Sequence, residues 1–213
     1  MTDQNPSTPL VPDEEIHQIV QRVLTQAMGL KPAVSPAPVV AQGQSAPASA
    51  APAPVPASAA SPQSRVVAIG ADHGGFELKE TLKKDLGEGG YEVIDVGTTG
   101  KDAVDYPDFA LSVAQLVASG KAWRGVMIDG AGIGSCMVAN KVPGVRAALA
   151  YDYASASNSR EHNDANVLTL GAGLIGVNLA KQILKVWLTT EFGGGRHQKR
   201  IDKIVAVEKQ YGK

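Results

Sequence analysis

Residues able to do acid–base chemistry follow several short apolar runs of this 213-residue chain. Asp72 and His73 come directly after the run RVVAIG, and Asp129 closes the run RGVMID. His162 and Asn163 lie farther along, in the segment SREHNDAN. Carboxylates and imidazoles can take up and release protons near neutral pH. These side chains are therefore candidate general acids and bases if a fold gathers them.

A glycine-rich turn follows Asp129. It reads Gly130-Ala131-Gly132-Ile133-Gly134-Ser135. Glycines let backbone N–H groups approach a ligand closely, and the N-terminus of a following helix adds partial positive charge. Such a turn suits a phosphate or an oxyanion that develops during enolisation, and a tight turn without a ligand is the structural alternative.

A dinucleotide-binding loop is a second alternative for this turn, because Asp152 lies roughly 20 residues further on. Two features weaken that interpretation. Ser135 stands where the third glycine of the dinucleotide fingerprint belongs, and the turn follows the third predicted strand and not the first.

A basic pair occurs near the C-terminus, in the segment GGGRHQKR. Arg196 and Arg200 are four residues apart, which places both on one face of a helix. Two guanidinium groups on one face fit a phosphate monoester well. A solvated basic helix end is the alternative, and the spacing alone does not choose between them.

The elements that must position these residues are five β-rich runs, which alternate with helical stretches from Arg65 onward. The runs cover 65–70, 91–97, 124–130, 145–151 and 166–172. Continuous apolar strands alternating with helices indicate a parallel sheet with right-handed crossovers. We predict a Rossmann-like, three-layer α/β domain with a five-stranded parallel sheet, which binds ligands at the carboxyl ends of its strands. Its last helix, about 196–211, is amphipathic and could reach a neighbouring subunit.

The 64 residues before this domain have a different composition. Residues 31–64 hold eight of the 13 prolines and a single charged residue, which predicts a disordered Pro/Ala-rich linker. Residues 1–30 contain one amphipathic helix, whose apolar stripe is Ile16, Ile19, Val20, Val23, Leu24, Ala27 and Met28. We predict that this helix docks onto another protein. A helix that folds back onto its own domain is the alternative.

Composition excludes several classes of protein. The 20 Lys and Arg against 21 Asp and Glu leave no basic field that would gather nucleic acid. No apolar run is long enough for a membrane-spanning helix, and the acidic N-terminus is unlike a secretory signal. The single cysteine, Cys136, excludes an intramolecular disulfide and argues against a cysteine-rich zinc site. We therefore predict a soluble cytoplasmic protein without nucleic acid or membrane partners.

Seven motifs occur in the order typical of one enzyme family. They are IGADHGGFELKETL, DVGT, DYPDFA, GAGIGS, ANKVPGVRAAL, SREHNDANVLTLGA and GGRHQKR. Over essentially all of residues 66–208 the chain resembles the ribose-5-phosphate isomerase B family and its galactose-6-phosphate isomerase relatives. The resemblance implies aldose–ketose isomerisation through a cis-enediolate, with ribose 5-phosphate and ribulose 5-phosphate as default substrates. It also implies a homodimer or tetramer, active sites at the subunit interface, and no metal or organic cofactor.

Residues 1–64 resemble the encapsulation peptides of bacterial microcompartment cargo enzymes, in which a short amphipathic terminal helix is joined to the enzyme by a Pro/Ala-rich linker. This second resemblance is one of architecture. It implies a shell protein as partner, bound through residues 13–28, and a location inside a microcompartment.

The family resemblance also implies roles for individual residues. His162 would assist ring opening, and Asn163 would support the enediolate. Asp72 would bind sugar hydroxyls, and Tyr106 of the DYP motif would line the pocket. The glycine turn would donate to the developing oxyanion and contact the substrate through Gly130, Ala131, Gly132, Gly134 and Ser135.

The phosphate would be bound by His73, Arg196 and Arg200, with the two arginines reaching in from the partner subunit. Family members commonly read LGAR where this chain reads LGAG, so Gly173 replaces an arginine that grips the anionic end of the substrate. The loss leaves the phosphate to the remaining three cationic side chains, or indicates a different sugar.

The position of the catalytic base also departs from the family pattern. Many members carry a base cysteine in the sequence C-G-T-G, where this chain has Asp129 and Ala131 in place of the cysteine and the threonine. Other members carry a glutamate at the position of Ser135. Asp129 is the leading candidate base, because a carboxylate can perform enediolate chemistry. Cys136 is a weaker candidate, and a non-catalytic binding or scaffold homologue remains the alternative function.

Overall fold

The computed structural model describes residues 65–212. The predicted docking helix and linker, residues 1–64, lie outside the described residues. The elements are β1 (Val66–Ala71), α1 (Phe76–Glu88), β2 (Glu92–Asp95), α2 (Tyr106–Ala118), β3 (Arg124–Asp129), α3 (Ile133–Ala139), β4 (Ala147–Leu149), α4 (Tyr153–Glu161), β5 (Val167–Gly171), α5 (Val177–Thr189) and α6 (Arg196–Tyr211). Within this range, no helix combines the length and the apolar character that a membrane span requires.

All five strands form one parallel sheet in the order β2-β1-β3-β5-β4. Every residue of the central strand β3 is buried, as the continuous apolar run predicted. The predicted five-stranded Rossmann-like fold is therefore confirmed. The chain turns to one side of β1 to form β2 and to the other side to form β3. The crevice beyond the carboxyl ends of β1 and β3 is thus the switch point at which such sheets bind ligands.

Two apolar cores cover the two faces of the sheet. On one face α1 and α5 pack through side chains that include Leu82, Leu86 and Trp187. On the other face α2 packs so closely that a Cβ at Gly125 would lie 2.6 Å from the side chain of Val113. Each fully buried aliphatic side chain contributes about 1.5–3 kcal/mol, so the two cores hold the strand ends in fixed positions.

A buried lysine anchors the loop between β2 and α2. Lys79 of α1 is only 1% exposed, and its Nζ donates to both carboxylate oxygens of Asp95, at 3.0 and 2.8 Å. Lys83 adds a third bond at 2.7 Å, and Asp95 also accepts the amide N–H of Gly97. Burial of Asp95 acts to raise its pKa, but the hydrogen bonds from the two lysines outweigh it and lower the pKa. The cluster therefore fixes an ionised carboxylate where the loop begins.

We expect Lys79→Met to reduce the free energy of unfolding by about 3 kcal/mol at pH 7, because Asp95 keeps Lys83 but loses two hydrogen bonds from a buried cation, each worth about 1.5–3 kcal/mol. Lys84→Met is the matched control, since Lys84 is an exposed lysine of the same helix, 4.0 Å from Glu88, and should change stability by less than about 0.5 kcal/mol. Urea unfolding measures both. Because the pKa of Asp95 is lowered, its contribution is present above about pH 4 and is lost on acidification through the folded pKa. Equal losses for the two variants would contradict this role.

Candidate functional site

Two buried aspartates lie at the switch point, at the ends of neighbouring strands. Asp72 follows β1 and Asp129 ends β3, and the amide N–H of Asp72 donates to the carbonyl of Ile128 at 3.2 Å. Both are almost completely buried, and Asp72 Oδ1 accepts the N–H of Gly75 at 3.0 Å. The loops after the two strands touch, because a Cβ on Gly74 would lie 3.5 Å from the amide nitrogen of Gly130. The fold thus brings these two predicted site residues together.

The carboxylate of Asp129 is held by the glycine turn that follows it. Oδ1 accepts the amide N–H of Ala131 at 2.7 Å and that of Gly132. Oδ2 accepts the amide N–H of Ser135 at 3.3 Å and also its hydroxyl. The turn therefore wraps around a carboxylate of its own chain, an arrangement that the spacing of the glycines did not predict.

Three amides of the turn are consequently occupied and three are not. Those of Ala131, Gly132 and Ser135 point at Asp129. Within residues 65–212, the amides of Gly130, Ile133 and Gly134 donate to no protein acceptor. If the turn donates to an oxyanion, these free amides are the ones available for it.

Gly132 and Tyr151 fix the shape of the turn. Gly132 has a φ of +76°, and a Cβ there would lie 2.5 Å from the side chain of Leu149. The hydroxyl of Tyr151 donates to the carbonyl of Ala131 at 2.8 Å, which holds that peptide in one orientation. Sequence reasoning did not assign a role to Tyr151, and its position at the end of the fourth predicted strand was the signal available.

His73 and Tyr106 lie next to this turn and form a wall of the site. Nδ1 of His73 lies 3.2 Å from the amide nitrogen of Val104, in the loop anchored by Asp95. Among the described residues Nε2 of His73 has no hydrogen-bond partner, which leaves it available to a ligand. Tyr106 packs its ring against Gly134, where a Cβ would lie 2.5 Å from the ring. Gly134 is therefore needed for close approach of α2 and α3.

The second group of predicted residues lies at the opposite end of the sheet, toward the amino ends of the strands. His162 and Asn163 follow α4, which runs antiparallel to the strands and ends where β5 begins. Arg196 begins α6, shortly after the end of α5. The last carbonyls of α5 accept hydrogen bonds from Arg124 at the start of β3, which places this segment near the amino ends of the strands. The two groups are separated by about the length of β3, roughly 20 Å. Within the described residues no hydrogen bond or salt bridge joins them.

His162 stacks on a second histidine in this group. Its ring lies parallel to that of His197, with centroids 4.1 Å apart and 8° between the planes. The side-chain amide of Asn158 donates to Nδ1 of His162 at 2.8 Å, so a neutral His162 carries its proton on Nε2. The ring is thus oriented by one hydrogen bond and one stacking contact, and its Nε2 lies 3.8 Å from a carboxylate oxygen of Glu161.

His197 is 7% exposed and was not among the predicted site residues. Arg196 donates from Nε to Nε2 of His197 at 3.3 Å. Burial, together with the neighbouring charges of His162, Arg196 and Arg200, lowers the pKa of His197. Two arginines and a histidine whose pKa is lowered therefore lie together at the start of α6.

The lowered pKa of His197 predicts a pH dependence of stability. Between the folded pKa and the unfolded value of about 6.5, the unfolded chain binds more protons than the folded chain, so stability falls as the pH falls. We expect the melting temperature of the protein to drop between pH 7.5 and 5.5, and the drop to be smaller in His197→Gln. Differential scanning fluorimetry measures both. A drop of equal size in the two proteins would contradict this assignment.

Three other residues considered from the sequence are Cys136, Gly173 and Asp152. The thiol of Cys136 is partly buried on α3 and lies 3.5 Å from the carbonyl of Ala147. Gly173 lies beside the glycine turn, and its amide donates to the carbonyl of Gly130 at 3.0 Å. Asp152 caps the N-terminus of α4, where it accepts the amide N–H of Ser155 at 2.6 Å. Within residues 65–212, no three acidic, His or Cys side chains form a group able to hold a metal ion.

An open parallel sheet with two buried carboxylates at its switch point is typical of α/β enzymes that bind their substrates beyond the carboxyl ends of the strands. Comparison with known proteins identifies the family. The family model described as Ribose/Galactose Isomerase matches residues 67–204. Ribose-5-phosphate isomerase B of Escherichia coli is 44% identical over 144 residues, which are 68% of this chain and 97% of that protein. The D-erythrulose-4-phosphate isomerase of Pectobacterium atrosepticum is 43% identical over 68% of this chain and 95% of that protein.

A solved structure agrees with these sequence matches. Ribose-5-phosphate isomerase B of Clostridium thermocellum has a TM-score of 0.68 and 51% identity, and covers 68% of this chain and 99% of that one. The chain belongs to the ribose/galactose isomerase family. The expected class of enzyme, an aldose–ketose isomerase, is confirmed.

Proposed function

We propose that this chain interconverts ribose 5-phosphate and ribulose 5-phosphate through a cis-enediolate, with Asp129 as the base. The observation that carries the proposal is the buried carboxylate of Asp129, held by the glycine turn beside Asp72 at the switch point. The names of the relatives from Escherichia coli and Clostridium thermocellum support the choice of sugar.

The proposed reaction moves protons within the substrate and needs no cofactor. His162 donates a proton to the ring oxygen from its imidazolium form, the C1 hydroxyl gives its proton to solvent, and the bond between C1 and the ring oxygen breaks to give the open-chain aldehyde. Asp129 then takes the proton from C2, so that the electron pair of the C–H bond enters the enediolate, and returns a proton to C1 while the hydroxyl proton moves from O2 to O1. The free amides of Gly130 and Gly134, with Asn163, stabilise the developing oxyanion.

A second copy of the chain completes the proposed site. Asp129 and Asp72 lie at the carboxyl ends of the strands, whereas His162 and the arginines lie toward the amino ends. A homodimer that places the start of one α6 over the switch point of its partner would join the two groups. This arrangement supports the dimer, or a tetramer built from dimers, that the family resemblance implies.

The phosphate is bound in this proposal by His73 of one subunit and by Arg196 and Arg200 of the other. Gly173 adds no cation, and a Cβ there would lie 3.0 Å from the carbonyl of Gly130 and meet little else. The name of the Pectobacterium relative supports a second candidate substrate, a four-carbon ketose phosphate.

A coupled assay on the purified full chain tests the activity. The panel contains ribose 5-phosphate, erythrulose 4-phosphate, a six-carbon aldose phosphate and unphosphorylated ribose. We expect turnover of ribose 5-phosphate and none of free ribose. Turnover of none of them by a folded dimer would overturn the proposal, and binding without turnover in calorimetry would favour a non-catalytic sugar-phosphate-binding homologue.

We further propose that residues 1–30 direct the enzyme to the shell of a bacterial microcompartment through residues 13–28. The amphipathic stripe, the acidic first turn and the 34-residue span of 31–64 support this. A fluorescent reporter that carries residues 1–64 should co-localise with co-expressed shells, and the same reporter with Ile19 and Val23 changed to Asp is the control. A diffuse reporter beside assembled shells would contradict the targeting. A chain that begins at Arg65 should retain isomerase activity.

A further inference from the structure

The carboxylate of Asp129 has no free lone pair in this structure. An ionised carboxylate offers about four lone-pair positions. Oδ1 accepts from the amides of Ala131 and Gly132, and Oδ2 accepts from the amide and the hydroxyl of Ser135. A base that removes a proton from carbon needs a lone pair directed at that proton. One of these four bonds must therefore open before Asp129 can act.

Three of the four donors are backbone groups of a turn that cannot easily move. Gly132 is in the left-handed region and is closely surrounded by Leu149 and Leu170. The peptide that follows Ala131 is held through its carbonyl by Tyr151. The remaining donor, the hydroxyl of Ser135, is on a single rotatable bond. It can turn toward the carbonyl of Gly132 or Ala131, three and four residues before it, which are common alternative partners for a helical serine.

The hydroxyl is also the only one of the four groups that suits both protonation states of Asp129. A backbone N–H can donate to a carboxylate but cannot accept from a carboxylic acid. A serine hydroxyl does both, because it carries one proton and two lone pairs. Ser135 is completely buried, so bulk water does not replace it in this role.

We infer that Ser135 is a positioning residue whose hydroxyl donates to Oδ2 of Asp129 in the resting site and accepts from Oδ2 after that oxygen has taken the C2 proton. The inference rests on the proposed function, with Asp129 as the base. In the step itself the C2–H bond breaks, an O–H bond forms on Oδ2, and the electron pair passes to the enediolate. Ser135 gains and loses no proton. It reverses its hydrogen bond and frees the lone pair that the step requires.

Ser135→Ala tests this role in the full-length enzyme with ribose 5-phosphate deuterated or not at C2. We expect kcat to fall about tenfold, because the O–H bond that forms on Oδ2 in the transition state loses its hydrogen-bond acceptor, with KM within about twofold of wild type. The deuterium isotope effect on kcat should rise, because proton transfer becomes more nearly rate-limiting. Ser135→Thr, which keeps the hydroxyl, should retain kcat within about threefold.

Ser159→Ala is the matched control, because this buried helical serine donates to a backbone carbonyl, that of Ala156, and not to a carboxylate. It should leave kcat and the isotope effect unchanged. Unfolding midpoints establish that each variant is folded. An unchanged kcat and isotope effect in Ser135→Ala overturn the inference while the proposed function stands. Absence of wild-type turnover, or full activity in Asp129→Asn, overturns the proposed function and the inference with it.

Discussion

Replacing Asp129 with asparagine lowers kcat for ribose 5-phosphate by at least about 10³-fold, which is within the range that general acid–base catalysis supplies. The carboxamide has nearly the shape of the carboxylate but cannot take a proton from C2. Its oxygen can still accept from the amides of Ala131 and Gly132, so the turn keeps two of its bonds. The loss should therefore fall on kcat and leave KM nearly unchanged.

The asparagine also has a predictable cost in stability. Its NH₂ group would face the amide N–H of Ser135, which now donates to Oδ2, and two donors cannot bond to each other. One unsatisfied buried donor costs about 1–3 kcal/mol, and urea unfolding measures this separately from catalysis. The variant should remain folded under assay conditions, so that the loss of activity is a loss of chemistry.

Asp152→Asn is the matched control for Asp129→Asn. Asp152 is an exposed carboxylate that also follows a strand and also accepts a backbone N–H, as the cap of α4. Asparagine is an equally good helix cap, so stability and kcat should stay at wild-type values. Retention of more than about a tenth of kcat in Asp129→Asn would remove Asp129 as the base and favour a different proton acceptor, with Asp72 at the end of the neighbouring strand as the candidate.

The sheet and the switch-point carboxylates were predictable for a simple physical reason. Strands buried on both faces must be continuously apolar, and a polar residue that ends such a run marks the carboxyl end of the strand. Asp72 and Asp129 therefore follow from the runs before them. The position of His162 required one further step, the direction of α4. A crossover helix returns the chain to the amino ends of the strands, and this separates His162 from Asp129.

Other features depend on details that the sequence does not encode locally. The amides of Ala131 and Gly132 point at Asp129, and this depends on the left-handed φ of Gly132 and on the packing of Leu149 against it. A lysine on a helix ordinarily indicates a solvated face, so the burial of Lys79 was not predictable from its neighbours. The stacking of His197 on His162 joins two segments that are 35 positions apart and packed together only by the fold.

The double replacement Arg196→Gln and Arg200→Gln lowers kcat/KM for the sugar phosphate by about 10²–10⁴-fold, because each charge-assisted hydrogen bond to the phosphate contributes about 1.5–3 kcal/mol. The phosphate does not change during the reaction, so its binding is nearly uniform along the pathway and the effect should lie mainly in KM. Lys203→Gln removes an exposed cation from the same helix and is the matched control. An equal effect in both would show that only the net charge of α6 matters.

Mixing the two impaired proteins, with the substrate well below the KM of the arginine variant, separates a shared site from a site within one chain. In a heterodimer of the Asp129 variant and the arginine variant, one site receives both substitutions, and the other combines an intact Asp129 with intact arginines of the partner. If subunits exchange at random, half of the dimers are heterodimers with one working site, so the mixture should recover up to about a quarter of wild-type activity. If the arginines served the Asp129 of their own chain, every site would lack one or the other. The mixture would then stay as inactive as its components, and the dimeric site would be excluded.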